Sequence, residues 1–173
     1  MERTLVIEQL PGLRRYARAL TGDAWAADDL VQDTLERACA KWQLWLAGSD
    51  LRAWLFTLMH NLYLNQRRTV QPTAGAMQID DIQSELPAAE GDRDSALDLA
   101  RCLQRLPDDQ RAVLLLVALE DMSYGEAAKV LGIPIGTVMS RLSRARSRLR
   151  ELMEGADTNS RPIPGQPQLR RMK

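Results

Sequence analysis

The sequence contains little of what metal sites and most nucleophilic active sites need. Among its 173 residues there are one histidine, His60, and two cysteines, Cys39 and Cys102. A single histidine excludes most histidine-based metal sites, and any Ser–His or Cys–His dyad would have to use His60. Two cysteines this far apart predict neither a disulfide framework nor a zinc cluster. We therefore expect no metal, no cofactor and no catalytic residue.

Long apolar segments are also absent. No stretch approaches the roughly 20 apolar residues of a membrane-spanning helix, and no charged-then-apolar leader opens the chain. The composition, 45% apolar and 27% charged, is that of an ordinary water-soluble protein. We expect a cytoplasmic protein with no membrane insertion, built as one compact domain or two small ones.

The chain has no excess of either charge, because 23 basic residues balance 23 acidic ones. A net charge of zero argues, by itself, against nucleic acid as a partner. The balance is uneven along the chain, however. The net charge is +1 over residues 1–70, −6 over 71–109, +2 over 110–154 and +3 over 155–173. This asymmetry predicts segments with different partners.

Helical periodicity divides the chain into parts. Over residues 1–70, apolar residues recur at three and four positions in three segments, which predicts three helices with a small shared core. Residues 71–94 are interrupted by proline and glycine and rich in carboxylates, which predicts a flexible acidic linker. Helical periodicity resumes over 95–154, and the prolines of 155–173 predict a disordered tail. The expected fold is all-α, with two small helical domains.

The sharpest local pattern predicts a helix-turn-helix. Ser123 and Glu126 have the spacing of a capping box before a short helix. Gly132 can adopt the positive φ of a tight turn, and Pro134 stops that helix. The next helix has an apolar face opposite a face of hydroxyls and arginines. Such a face suits a DNA major groove, where arginine bridges guanine O6 and N7. The alternative is a solvated, arginine-rich helix at the end of a bundle.

An ordered set of motifs resembles the bacterial sigma factors of the extracytoplasmic-function (ECF) group. The first half carries DDLVQDT at 28–34, LRAWLF at 51–56, Asn61, Arg67 and Arg68. The second half carries LPDDQR at 106–111, SYGEAA at 123–128, GTV at 136–138 and SRLSRAR at 140–146. The motifs have the family's order and spacing and cover about residues 4–152. In places the second half is similar to the subgroup that governs the general stress response of alphaproteobacteria.

The resemblance implies a protein that binds core RNA polymerase and directs promoter recognition, melting and transcription initiation without chemistry of its own. Residues 1–70 would be region 2, which recognises and melts the −10 element. Residues 95–154 would be region 4, which binds the −35 element. The implied partners are core RNA polymerase, through the β′ clamp helices and the β flap, promoter DNA and an anti-sigma factor. The linker would thread toward the polymerase active-site cleft as a nucleic-acid mimic, or serve as a plain solvated tether.

The resemblance also assigns roles to residues. Polymerase binding falls on acidic and amide side chains that complement a basic partner helix: Asp28, Asp29, Gln32, Asp33 and Glu36. Binding of −10 DNA falls on an aromatic platform, an amide and three arginines: Trp45, Arg52, Asn61, Arg67 and Arg68. Binding of −35 DNA falls on Thr137, Ser140, Arg141, Arg144 and Arg146. Met139 departs from the family, which commonly has a basic residue at that position.

Two of these assignments have a purely structural alternative. The acidic and amide side chains assigned to polymerase binding could be merely solvated, and Trp45 could serve packing, as we expect of Trp42 and Trp54. His60 is expected at the surface or partly buried, and not as a ligand.

Two other functions fit parts of the pattern. A conventional helix-turn-helix transcriptional regulator would use residues 1–70 for sensing or dimerisation and would bind duplex DNA without polymerase. The segment Trp45–Arg68 argues against it, since a regulator needs no melting surface. A helical carboxylate metalloprotein would need a Glu-x-x-His pair, which the sequence lacks.

The substitution Arg144→Ala tests the predicted DNA-binding helix. It should weaken binding to the −35 element by about 1–3 kcal/mol, the usual contribution of a base contact. Binding to core polymerase should not change, because Arg144 is not among the residues assigned to polymerase binding. Promoter binding and core binding would be measured in parallel, and a loss of both would contradict the assignment.

Overall fold

The computed structural model describes residues 3–45, 49–69 and 93–160. These residues form seven α-helices and one short 3₁₀-helix, at Trp42–Leu44, and they contain no strand, as the all-α prediction requires. The α-helices are α1 (Arg3–Thr21), α2 (Ala24–Ala40), α3 (Leu51–Thr69), α4 (Arg93–Gln104), α5 (Asp108–Ala118), α6 (Tyr124–Leu131) and α7 (Ile135–Ser160). None of the described helices is long and apolar enough to span a bilayer.

Helices α1 to α3, which we call the first half, form the predicted three-helix unit. Gly22, at a φ of 72°, separates α1 from α2, and Asp23 caps α2 by accepting from the Ala26 amide at 2.6 Å. Asp50 caps α3 in the same way. Burial of large apolar side chains, each worth about 1.5–3 kcal/mol, stabilises the unit. Its fully buried residues include Leu13, Tyr16, Ala17, Leu20, Ala27, Leu30, Leu55, Phe56 and Met59.

In the second half, as we call helices α4 to α7, α6 and α7 pack on α5, and α4 packs on α7. The α5 residues from Arg111 to Leu116 are all buried. The Arg111 guanidinium donates to the carbonyls of Leu103, Gln104 and Leu106 at 3.2–3.4 Å. Leu103 and Gln104 are the last two residues of α4, so the cation complements the negative end of that helix.

Helices α6 and α7 form the predicted helix-turn-helix. Ser123 Oγ accepts from the Glu126 amide at 3.2 Å, and a Glu126 carboxylate oxygen accepts from the Ser123 amide at 2.7 Å, which completes the capping box. The Ser123 hydroxyl donates to the same carboxylate oxygen at 2.6 Å, and this bond, with the one from the Ser123 amide, lowers the pKa of the Glu126 carboxyl. Gly132 has a φ of 63°, in the left-handed region that ends α6. The apolar face of α7 is buried at Val138, Leu142 and Ala145, as predicted.

Two predicted boundaries need correction. Helix α4 begins at Arg93, two residues earlier than expected, and α7 continues to Ser160. Residues 155–160 are therefore helical and not part of a disordered tail. Gly155 costs a helix only about 1 kcal/mol, and the first proline of the tail comes later, at Pro162. The rest of the predicted linker and tail, 71–92 and 161–173, lies outside the described residues.

The two halves pack against each other. Helix α1 contacts α4 and α5, and α3 contacts α6. One continuous cluster of buried side chains runs from Leu13 in α1 to Ala145 in α7. The sequence predicts two helical units but does not predict this shared core, which we call the closed arrangement.

His60 is covered in the closed arrangement, which corrects its expected position at or near the surface. It lies on α3 and exposes only 7% of its surface. Its Nδ1 atom is buried without a hydrogen-bond partner. Burial, and secondly the positive charge of Arg141 on α7, lower the pKa of His60 from 6.5 to about 4. The folded chain thus keeps this imidazole neutral at neutral pH.

The shifted pKa of His60 predicts a pH dependence of stability. Between pH 6.5 and about 4 the unfolded chain binds a proton at His60 that the folded chain does not. The free energy of unfolding should therefore fall as the pH is lowered through this window, with His60 contributing up to about 3 kcal/mol. Denaturant titrations of wild type and His60→Leu at each pH would isolate this contribution, because the carboxylates titrate in both. Parallel pH profiles would contradict it.

Candidate functional site

The residues predicted to bind polymerase lie together on α2. Asp28, Asp29, Gln32 and Glu36 are exposed, and Gln32 Nε2 donates to Glu36 Oε1 at 3.2 Å. Asp33 is half-buried and accepts from Gln66 Nε2 of α3 at 3.0 Å. The opposite side of the helix is buried at Ala27, Leu30, Val31, Thr34 and Ala38. The sequence prediction therefore corresponds to one contiguous exposed face, which we call the acidic face.

Trp25 begins the acidic face and was missed by the sequence prediction. Its side chain is 79% exposed. It precedes Asp28, Asp29 and Gln32 by three, four and seven residues, positions that share one side of a helix. This spacing was the signal in the sequence that could have placed Trp25 beside the acidic residues. Exposed tryptophan is enriched in binding hot spots, because it buries a large area on contact.

Trp45 lies at the end of the 3₁₀-helix, in a cluster of three tryptophans. Its ring centroid is 4.9 Å from that of Trp42, which lies 6.2 Å from that of Trp54. All three side chains are half-buried, and Trp54 packs against the buried core. The Trp45 indole N–H is buried without a hydrogen-bond partner. The adjoining residues 46–48 lie outside the described residues.

Two arginines predicted to bind −10 DNA are paired with carboxylates of the second half. Arg52 Nη2 lies 3.0 Å from Glu120 Oε2 and donates to the Glu120 carbonyl at 2.6 Å. Arg67 Nε and Nη2 each lie 3.0 Å from Asp108 Oδ2. Arg68 and Asn61, the other predicted contacts on α3, are exposed. In the closed arrangement, therefore, part of the predicted DNA surface joins the two halves.

The residues predicted to bind −35 DNA lie along α7. Ser140, Arg144 and Arg146 are exposed, whereas Thr137 is half-buried. Arg141 is half-buried, and its Nε lies 3.2 Å from Asp109 Oδ2 of α5. Two of the three predicted arginines, Arg144 and Arg146, are therefore exposed on α7, on different sides of the helix.

The start of α7 also carries an apolar pair. Ile135 and Met139 are 52% and 53% exposed and lie four residues apart, on one side of the helix. The sequence marked Met139 only as a departure from the family, and it gave no signal for Ile135. Among the described residues, no group of three or more His, Cys, Asp or Glu side chains could hold a metal ion.

Comparisons with known proteins agree with this geometry. Residues 6–60 match the family described as the sigma2 domain of PhyR, and residues 96–149 match Sigma-70, region 4. The ECF RNA polymerase sigma factor EcfG of Rhodopseudomonas palustris is 39% identical over 88% of this chain and 86% of its own length. SigL of Mycobacterium tuberculosis, also an ECF RNA polymerase sigma factor, is 36% identical over 86% of both chains.

A solved structure supports the same relationship. The sigma factor RpoE of Bartonella quintana was crystallised with the anti-sigma factor NepR. Its superposition covers 88% of this chain and 96% of the RpoE chain. The TM-score is 0.73 at 34% identity. The alignment with EcfG spans most of both sequences. The chain therefore belongs to the ECF family of RNA polymerase sigma factors, and it functions in promoter-directed transcription initiation and not as a conventional helix-turn-helix regulator.

Proposed function

We propose that three surfaces of this sigma factor divide the work of initiation. The acidic face of α2 binds core RNA polymerase, α3 with the tryptophan cluster binds the −10 element, and the outer face of α7 binds the −35 element. The observation that carries this division is the acidic face, which is exposed along one side of α2 while the other side packs in the core. Residues 1–70 then act as region 2 and residues 95–154 as region 4, with 71–94 between them.

Charge complementarity supports the polymerase surface. Asp28, Asp29 and Glu36 present carboxylates to solvent, and a basic partner such as the β′ clamp helices would be steered toward them. Trp25 adds an apolar anchor at one end of the same face. Charge of this kind accelerates docking, whereas a tryptophan that becomes buried in the complex slows dissociation.

The −10 surface combines stacking and phosphate contacts. Trp45 is half-buried against Trp42, so a captured base could stack on what remains exposed of its ring, and Asn61 is exposed on α3. Arg52 and Arg67 can bind phosphates only after Glu120 and Asp108 leave them. The closed arrangement is therefore not the one that binds promoter DNA.

The −35 surface combines arginines with an apolar pair. Ser140, Arg144 and Arg146 are exposed and suit base edges and phosphates. Ile135 and Met139 lie near the start of the helix, where residues of such helices reach base edges. The only apolar group on a base edge in the major groove is the thymine methyl. We assign Met139 to a thymine of the −35 element, in place of a basic residue's contact.

The partners follow from the family and its solved complexes. RpoE was solved with the anti-sigma factor NepR, and CnrH with the cytosolic domain of CnrY. We propose that an anti-sigma factor also restrains this chain. This sigma factor would act in the cytoplasm, where core polymerase and promoter DNA are found. It would carry out no catalysis of its own.

Reconstituted transcription tests the proposal. Core polymerase with this protein should initiate from a selected promoter and form an open complex, and core alone should not. The double variant Asp29→Asn/Glu36→Gln should bind core several-fold more weakly. Glu8→Gln/Asp98→Asn removes the same charge elsewhere and should bind normally. Equal core binding by the two double variants would refute the role of the acidic face, and no core binding by wild type would refute the proposal.

Deoxyuridine tests the role of Met139. Replacing one −35 thymine at a time by deoxyuridine removes a single methyl group. At the contacted position, wild-type holoenzyme should lose about 3- to 10-fold in affinity, the scale of one buried methyl group. Holoenzyme with Met139→Ala should be weaker on thymine and insensitive to the exchange there. Equal sensitivity of both proteins at every position would rule out the contact.

A further inference from the structure

Glu120 lies in the turn between α5 and α6 and inserts its side chain between α1 and α3. The side chain is completely buried. Arg15 binds it with two parallel hydrogen bonds, from Nε to Oε1 and from Nη2 to Oε2, each 2.9 Å long. Arg52 Nη2 reaches Oε2 at 3.0 Å. One carboxylate of the second half thus binds two arginines of the first half.

Three further features shape this contact. At Gly12 a Cβ atom would lie 2.9 Å from Glu120 Oε2, so the missing side chain leaves room for the carboxylate. The Arg52 guanidinium lies over the Phe56 ring, 5.5 Å from its centroid. Asp121, next to Glu120, has a φ of 53°, a conformation that non-glycine residues adopt at some cost. The site is therefore built on both sides of the interface.

The two arginines would remain together without Glu120. They belong to α1 and α3, which pack within the first half, and their side chains are 50% and 38% exposed. Two guanidinium groups face one carboxylate, so the cluster of three retains one positive charge. The planar donor fork of arginine fits a phosphate as well as it fits a carboxylate. Separation of the halves would leave a ready anion site on α1 and α3.

We propose that Arg15 and Arg52 form a phosphodiester-binding site for promoter DNA, and that Glu120 fills this site in the closed arrangement. The proposal rests on the proposed function, which supplies the DNA. Asp108 covers Arg67 in the same manner, so a second carboxylate of the second half occupies a second predicted phosphate contact. Closure and DNA binding therefore exclude each other at these arginines. The free chain binds promoter DNA only in proportion to its open fraction, and polymerase stabilises the open form.

The first test measures closure in the full-length free chain. Spin labels at the exposed Cys39 and at Ser147→Cys, in a Cys102→Ala background, report the distance between the halves. Glu120→Gln should raise the open population several-fold. Gly12→Ala should act in the same direction but more weakly, although alanine favours helix α1. Glu8→Gln removes the same charge from an exposed site on α1 and should match wild type.

Circular dichroism distinguishes opening from unfolding, because opening leaves the helix content unchanged. If Glu120→Gln and Gly12→Ala both keep the wild-type distance distribution, Glu120 does not control closure and the proposal is overturned.

The second test measures the phosphate contact in the holoenzyme. The logarithm of promoter affinity falls linearly with the logarithm of salt concentration, by about 0.9 per phosphate contacted. Arg15→Gln should make this slope shallower by about one phosphate's share, with core binding unchanged. Arg14→Gln, the exposed neighbour on α1, should leave the slope at the wild-type value.

The outcomes separate this inference from the proposed function. If the wild-type protein initiates transcription but Arg15→Gln leaves the salt dependence of promoter affinity unchanged, the phosphate site alone is refuted. Wild type that fails to bind core would refute the proposed function, whereas the spin-label distances would still decide whether Glu120 controls closure.

Discussion

One buried carboxylate joins the two halves of the closed arrangement. A charge that leaves water needs a partner of opposite sign and hydrogen bonds to its remaining lone pairs. Glu120 obtains both from Arg15 and Arg52, which lie 105 and 68 residues away in the sequence. Because the three residues belong to α1, α3 and the turn before α6, their pairing constrains how the second half lies on the first. The apolar core beneath adds area, but non-directional contacts alone would not select one orientation.

A second polar cluster repeats the arrangement at the other end of α3. Arg111 Nη2 donates to the Tyr63 hydroxyl at 2.9 Å and also binds Asp108, which pairs with Arg67. Burial raises the pKa of Tyr63, which keeps its hydroxyl protonated and able to donate to Asp108. Both clusters join carboxylates of the second half to arginines of the first. Some of the charges that cancel in the zero net charge therefore pair with each other inside the folded chain. A net charge of zero is compatible with a protein that binds DNA after its two halves separate.

Local patterns predicted much of the fold and of the acidic face. The capping box of Ser123 and Glu126, the turn at Gly132 and the exposed face of α2 depend on residues within four positions of one another. The role of Glu120 had no such signal, since it resembles any other carboxylate in a short turn. The burial of His60 was likewise hidden, because α6, which packs on α3 from the second half, begins 64 residues after His60.

The sequence by itself determined the α-helices of the described residues, their apolar faces and the family motifs, because each arises from short-range spacing along one helix. Only the tertiary structure decided which charges are available to partners. Asp29 and Glu36 stay in solvent, whereas Arg52 and Arg67, assigned to DNA by the family motifs, are neutralised by carboxylates of the other half. The physical reason is that an ion pair is set by where two folded units meet, and no periodicity within either unit encodes that meeting.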